Sequence, residues 1–105
     1  MNQIRHGDVL LLAVENEIPQ WIKPKSKVIL AEGELTGHAH ILTASKVYEW
    51  EENGQRYVRV TGELGTLYHE EHDPIPVKVL DADTTYRVIQ QQEWDLKNQW
   101  RKVQD

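Results

Sequence analysis

Residues 46–61 read KVYEWEENGQRYVRVT, two runs rich in β-branched and aromatic residues on either side of Asn53-Gly54. Asn-Gly between such runs is the strongest short-range signal of a β-hairpin, because both residues tolerate a positive φ angle. In the returning run, Val58 and Val60 fall on one face of a strand, and Tyr57 and Arg59 fall on the other. We therefore predict that Lys46–Glu51 and Gln55–Thr61 pair as an antiparallel hairpin around this turn.

Most of the remaining chain consists of similar short runs separated by turn signals. Val9–Val14 is apolar throughout, which is typical of a strand buried on both faces. The other predicted strands are Lys27–Ala31, His38–Ala44, Thr66–His69, Val77–Leu80 and Thr84–Gln90. Seven or eight short, mainly antiparallel strands predict an all-β fold, a small barrel or sandwich. A short C-terminal helix is predicted from about residue 95, and the length fits a single β domain over residues 1–105.

The composition excludes several classes of function. The formal net charge is −5, which argues against nucleic-acid binding, since nonspecific binding normally uses a basic face. The chain has no cysteine, and so no disulfides, thiol catalysis or cysteine-based zinc site. It has no glycine-rich phosphate loop, so no nucleotide cofactor is expected. The N-terminal apolar run is too short for a membrane span and lacks the flanks of a signal peptide, so we expect no membrane contact and a cytoplasmic location.

Four of the five histidines lie in two patches, Gly37-His38-Ala39-His40 and His69-Glu70-Glu71-His72. Residues two apart on a strand share a face, so His38 and His40 could offer two ligands to one ion. Imidazole is the commonest protein ligand for a transition metal. We therefore predict a divalent metal, Zn, Mn, Ni or Fe, at His38, His40, His69 and His72, with Glu34, Glu49, Glu70 and Asp73 as further candidates.

The second patch has two interpretations. On a helix, His69 and His72 would share a face. On a strand they would point to opposite sides, and the upstream glycine and downstream Pro74 favour a strand that ends in a loop. In that case His69 points inward and His72 lies in the loop. We predict that His69 lies within about 8 Å of His38 or His40, close enough to share a metal at about 2.1 Å per bond. His6 is expected in a turn before the first strand, as at most a remote fifth ligand.

The order Gly33, His38, His40, Glu49 and Gly54, followed by His69, resembles the cupin pattern over roughly residues 33–72. Cupins carry a His-x-His pair, a glutamate and a glycine in a first motif and a further histidine in a second. The resemblance implies a divalent metal at His38, His40 and His69, and Glu49 matches the family's glutamate in order but not in spacing. Glu49 lies nine residues after His40, farther than in the family pattern. The Pro-x-Gly of the second motif is also absent, since Gly65-Thr66-Leu67-Tyr68 precedes His69.

A second resemblance spans most of the chain. The segments HGDVLLL, GELTGHAH, HEEHDPI and TYRVIQQQEW resemble a set of short uncharacterised proteins from bacteria and phages. That set implies no activity and therefore no site residues.

Three functions remain open, and the sequence does not decide whether the protein is an enzyme. The first is a metal-binding β-barrel with a histidine-lined site, with or without hydrolytic or oxidative activity. The second is a non-catalytic module that forms a homo-oligomer through a strand edge or its tryptophans. The third is metal-free acid–base chemistry, such as RNA cleavage, in which one imidazole accepts a proton and another donates one.

Overall fold

The computed structural model describes residues 3–32, 39–69 and 77–90, and everything regular within these ranges is β-strand. The eight strands are β1 Gln3–His6, β2 Val9–Val14, β3 Lys25–Glu32, β4 Ala39–Glu52, β5 Gln55–Val60, β6 Gly65–His69, β7 Lys78–Leu80 and β8 Thr85–Gln90. The all-β prediction is therefore confirmed. The helix predicted from about residue 95 lies outside the described residues.

All strand pairs are antiparallel, and the sheet is nearly closed into a barrel. Its order is β1-β2-β8-β5-β4-β6-β7, with β3 on the other edge of β4. The 14-residue strand β4 holds the fold together, since its first residues pair with β6 and its last with β5. The predicted strands His38–Ala44 and Lys46–Glu51 thus belong to one strand over the described part.

The Asn53-Gly54 hairpin is confirmed. Asn53 has a φ of 51° and Gly54 a φ of 77°. Both lie in the left-handed region that this type of hairpin turn requires and that asparagine and glycine tolerate. The register places Trp50 opposite Tyr57, and their rings stack with centroids 5.6 Å apart. Turn chemistry and a cross-strand aromatic pair thus fix the same register.

The core is a single apolar cluster to which every strand from β2 to β8 contributes. Strand β2 shows the alternation: Val9 and Leu11 are fully buried, whereas Leu10 and Leu12 on the opposite face are half-buried. The prediction that this strand is buried on both faces is therefore only half right. The buried members are Val9, Leu11, Val28, Leu30, Ala31, Leu42, Val47, Val58, Val60, Leu67, Leu80 and Tyr86.

Strand β1 is the element that the sequence did not predict, because it is short and mixes polar with apolar residues. It pairs with β2 across a tight turn at Gly7, whose φ is 65°. The pairing places His6 opposite Val9, at the end of the strand pair. His6 is therefore not in a turn, and this pairing carries its side chain into the barrel.

Candidate histidine site

Strands β4 and β6 bring the two histidine patches together. His40, near the start of β4, lies directly opposite His69, the last residue of β6. Their rings meet edge to face, with centroids 4.7 Å apart. The predicted convergence is confirmed for this pair.

Both imidazoles point toward the interior. Leu42 and Leu67, each two residues along the strand from His40 and His69, belong to the apolar core. Since side chains two apart on a strand share a face, the histidines lie on the core side of the sheet. His40 is 6% exposed, and His69 is half-buried at the end of its strand. The site thus lies at one end of the barrel interior.

His6 completes the cluster and is the most buried of the three, at 1% exposure. Its Nδ1 atom lies 2.9 Å from Nδ1 of His40, and the ring centroids are 5.0 Å apart. At that separation one Nδ1 donates a proton and the other accepts it. His6 and His40, 34 residues apart in the sequence, therefore face each other through their Nδ1 atoms.

Asp8 lies on the solvent side of the pair. Its Oδ1 atom is 3.4 Å from Nε2 of His40, and its side chain is 49% exposed. Gln90, the last residue of β8, donates from Nε2 to the other carboxylate oxygen of Asp8 at 3.4 Å. A line of polar contacts thus runs from Gln90 through Asp8 and His40 to His6.

The predicted ligands divide into three groups. His40 and His69 meet, as described. Glu49 does not reach them, because it accepts from Arg56 and Lys25 at the hairpin end of β4. The others lie outside the described residues: Glu34, His38, Glu70, His72 and Asp73.

Within residues 3–32, 39–69 and 77–90, no group of three or more His, Asp or Glu side chains is arranged so that it could already hold a metal ion. The arrangement provides two nitrogens that face each other, from His6 and His40, and a third ring beside them. A metal ion would therefore need a reorientation of His69 or a ligand from another part of the chain.

Sequence reasoning missed His6 as a member of the cluster. The signal was present in Ile4 and His6, which alternate just before a Gly-Asp turn and an apolar strand. Such alternation is typical of the first arm of a hairpin. Ile4 does pack against the core, which puts His6 on the inward face with it.

A family described as a domain of unknown function, DUF8820, matches residues 5–91. The chain belongs to this family. The match begins just before His6 and ends just after β8, so it contains all three clustered histidines and Asp8. No curated protein and no solved structure matches the chain. In the described part of the chain, no helix is long and apolar enough to cross a membrane.

Proposed function

We propose that the protein binds a divalent transition-metal ion through His6, His40 and His69. The observation that carries the proposal is the 2.9 Å approach of the two buried Nδ1 atoms. Burying an imidazole in an apolar core is unfavourable unless its nitrogens are satisfied. Here two buried imidazoles are directed at each other through a hydrogen bond. A shared metal ion would take the place of the proton between them, and the donor imidazole would lose that proton or carry it on Nε2.

Two of the ring separations match those of imidazoles that share one metal ion. With a metal–nitrogen bond of about 2.1 Å and a tetrahedral angle, ligand rings have centroids about 5 Å apart. The observed separations are 5.0 Å between His6 and His40 and 4.7 Å between His40 and His69. Coordination of the same ion by His69 would require its half-buried ring to reorient.

An all-imidazole set suits borderline ions such as Zn²⁺, Ni²⁺ and Fe²⁺, and three protein ligands leave a coordination position open. The half-exposed Asp8 marks the side of the cluster that solvent reaches. Asp8 contacts Nε2 of His40, on the side of that ring away from the facing Nδ1 atoms, so it does not line the open position. A Zn²⁺ ion held by the three histidines would supply hydrolytic chemistry, since zinc lowers the pKa of bound water to about 7.

The test is the metal content of untagged protein, together with calorimetric titration of Zn²⁺ and Ni²⁺ into metal-free protein. We expect one ion per chain, and loss of binding in His6→Ala and His40→Ala. His38→Ala and His72→Ala, tested in parallel, show whether either predicted ligand contributes. Glu49→Gln, which alters the glutamate that the cupin resemblance implies, should bind as the wild type does. Equal binding by the wild type, His6→Ala and His40→Ala would reject the proposal.

The contact between Asp8 and His40 favours a second candidate, metal-free acid–base catalysis. A carboxylate beside one imidazole, which in turn contacts another, can orient a base and stabilise its charged form. RNA cleavage by such a pair needs an accepting and a donating imidazole. Activity that survives exhaustive chelation and is lost in both His6→Ala and His40→Ala would select this candidate.

Self-association is supported by a different surface. In the described part of the sheet β7 pairs only with β6, and Val77 and Val79 beside this edge are 60% and 54% exposed. An exposed apolar edge strand is a template for pairing with another chain. Light scattering of the wild type and of Val79→Lys tests this candidate, because a dimer formed through β7 would dissociate in the variant.

A further inference from the structure

We infer that Asp8 is the positioning residue of the histidine cluster: it holds a proton on Nε2 of His40 and so keeps the Nδ1 lone pair of His40 directed at His6. The expected effect of Asp8 on metal affinity rests on the proposed function. The state of His40 itself can be measured without any metal.

The two ring nitrogens of His40 face different neighbours: Nε2 faces Asp8 and Nδ1 faces His6. An ionised carboxylate only accepts hydrogen bonds, so Oδ1 of Asp8, 3.4 Å from Nε2 of His40, favours the form with a proton on Nε2. A neutral imidazole carries one proton, and Nδ1 of His40 is then the unprotonated nitrogen. Across the 2.9 Å contact, Nδ1 of His6 must therefore be the donor.

The geometry of Asp8 fits this role. Asp8 directly follows Gly7 in the turn between β1 and β2, and the next residue, Val9, is buried in the core and lies opposite Gln90. Gln90 donates to the second carboxylate oxygen, which leaves Oδ1 directed at His40. The carboxylate is thus anchored from two strands, although its side chain is half exposed.

The same contact has a consequence for metal binding. A ligating histidine usually donates its other ring N–H to a carboxylate, which fixes the tautomer and raises the basicity of the ligating nitrogen. In this protein that nitrogen is Nδ1 of His40. Removal of such a carboxylate typically weakens metal binding 10–100-fold, about the effect expected for Asp8→Asn.

The deciding experiment is nitrogen NMR of the histidine rings in metal-free protein, with zinc titration of the same samples. In the wild type we expect His40 protonated at Nε2. In Asp8→Asn we expect a mixture of both tautomers, since an amide can donate as well as accept. Asp8→Glu should restore the Nε2–H form, and Asp83→Asn, an exposed residue in another turn, should behave as the wild type.

The outcomes separate the two proposals. A wild-type His40 protonated at Nδ1, or a tautomer unchanged in Asp8→Asn, overturns the role of Asp8 even if zinc binds. Zinc affinity that falls in Asp8→Asn but recovers in Asp8→Glu supports it. If no variant and no wild-type sample binds zinc, the metal proposal fails, and the tautomer measurement still decides the role of Asp8.

Discussion

Near its start, β4 carries His40 into contact with another imidazole, whereas nine residues later it carries Glu49 into contact with Arg56. At the hairpin end the polar side chains have partners of opposite charge. Arg56 binds Glu49 through Nε and Nη2 at 2.8 and 2.5 Å and donates to the backbone oxygens of Ile29 and Leu30. This network joins β5 to β3 and has a structural role.

The histidine end differs in what satisfies its buried groups. Here His6 and His40 meet each other, and the carboxylate contact comes from a half-exposed Asp8. Two like groups in contact gain less than an ion pair does, so stability alone does not explain the arrangement. In this protein the ion-paired end of β4 links strands, whereas the imidazole pair at the other end is the part that we propose as a site.

Replacing both imidazoles gives the strongest test of whether the histidine pair differs from the ion-paired end of β4. His40→Leu alone should lower the free energy of unfolding by about 1–3 kcal/mol, because it deprives the buried His6 of the imidazole that it contacts. The double variant with His6→Leu should recover much of this loss, since replacing both partners by apolar groups can be nearly neutral. Urea denaturation of metal-free protein measures both. A double variant that loses the sum of the two single effects would show that the two imidazoles contribute independently, and would contradict this prediction.

Metal ions should distinguish the two ends of β4, because we expect them to bind only at the histidine end. At a hundredfold excess over the dissociation constant, a bound ion adds about 2.7 kcal/mol to the stability of the folded state. Protons compete with metal for imidazole, so the melting temperature should rise with Zn²⁺ at pH 7.5 and much less at pH 5. Calorimetry of the wild type and of Arg56→Gln checks this. The two proteins should gain equally, since Arg56 belongs to the other end.

Loss of the network at the hairpin end should have a moderate effect. Arg56→Gln removes a charged donor from Glu49 and from two backbone oxygens, but the side chain is 30% exposed and partly screened by solvent. We expect a loss of about 1 kcal/mol in urea denaturation and unchanged zinc affinity. Weakened zinc binding in this variant would mean that the two ends are coupled.

The turn itself gives a further test at the hairpin end. Gly54→Val should destabilise the protein by roughly 1 kcal/mol or more, because a β-branched residue is strained at positive φ. Apart from the adjacent residues, no atom lies within 4 Å of the added Cβ position, so the expected loss comes from backbone strain. Gly54→Asn is the matched control, because asparagine tolerates this conformation. Equal losses in the two variants would contradict the explanation.

The smallest expected effect concerns Tyr86, in the core that both ends share. Burial, with a contribution from the charge of Asp81, raises its pKa above 10.0. The folded state therefore retains the phenol proton at a pH where the unfolded chain has lost it. This contribution to stability is present below about pH 10 and lost as the pH rises through the raised pKa. Tyr86→Phe should flatten the decline of stability above about pH 10, which alkaline urea titrations would show.

The sequence by itself determined the features that depend on near neighbours in the chain. Asn53-Gly54 specified its hairpin, because the turn requires positive φ at two adjacent residues. Alternation and turn signals predicted most of the strands and the all-β class. His40 and His69 were predicted to meet because each belongs to one of the two histidine patches on predicted strands.

Only the tertiary structure decided which partners those histidines have. The register of β4 against β6 sets His40 opposite His69, and the closing of the sheet brings in His6 from the unpredicted β1. The tertiary structure also pairs Glu49 with Arg56, away from the histidine cluster. These contacts join residues tens of positions apart, and they follow from strand pairing around the whole barrel. Local sequence preference cannot encode them, because no turn or alternation pattern specifies which distant strand will lie alongside.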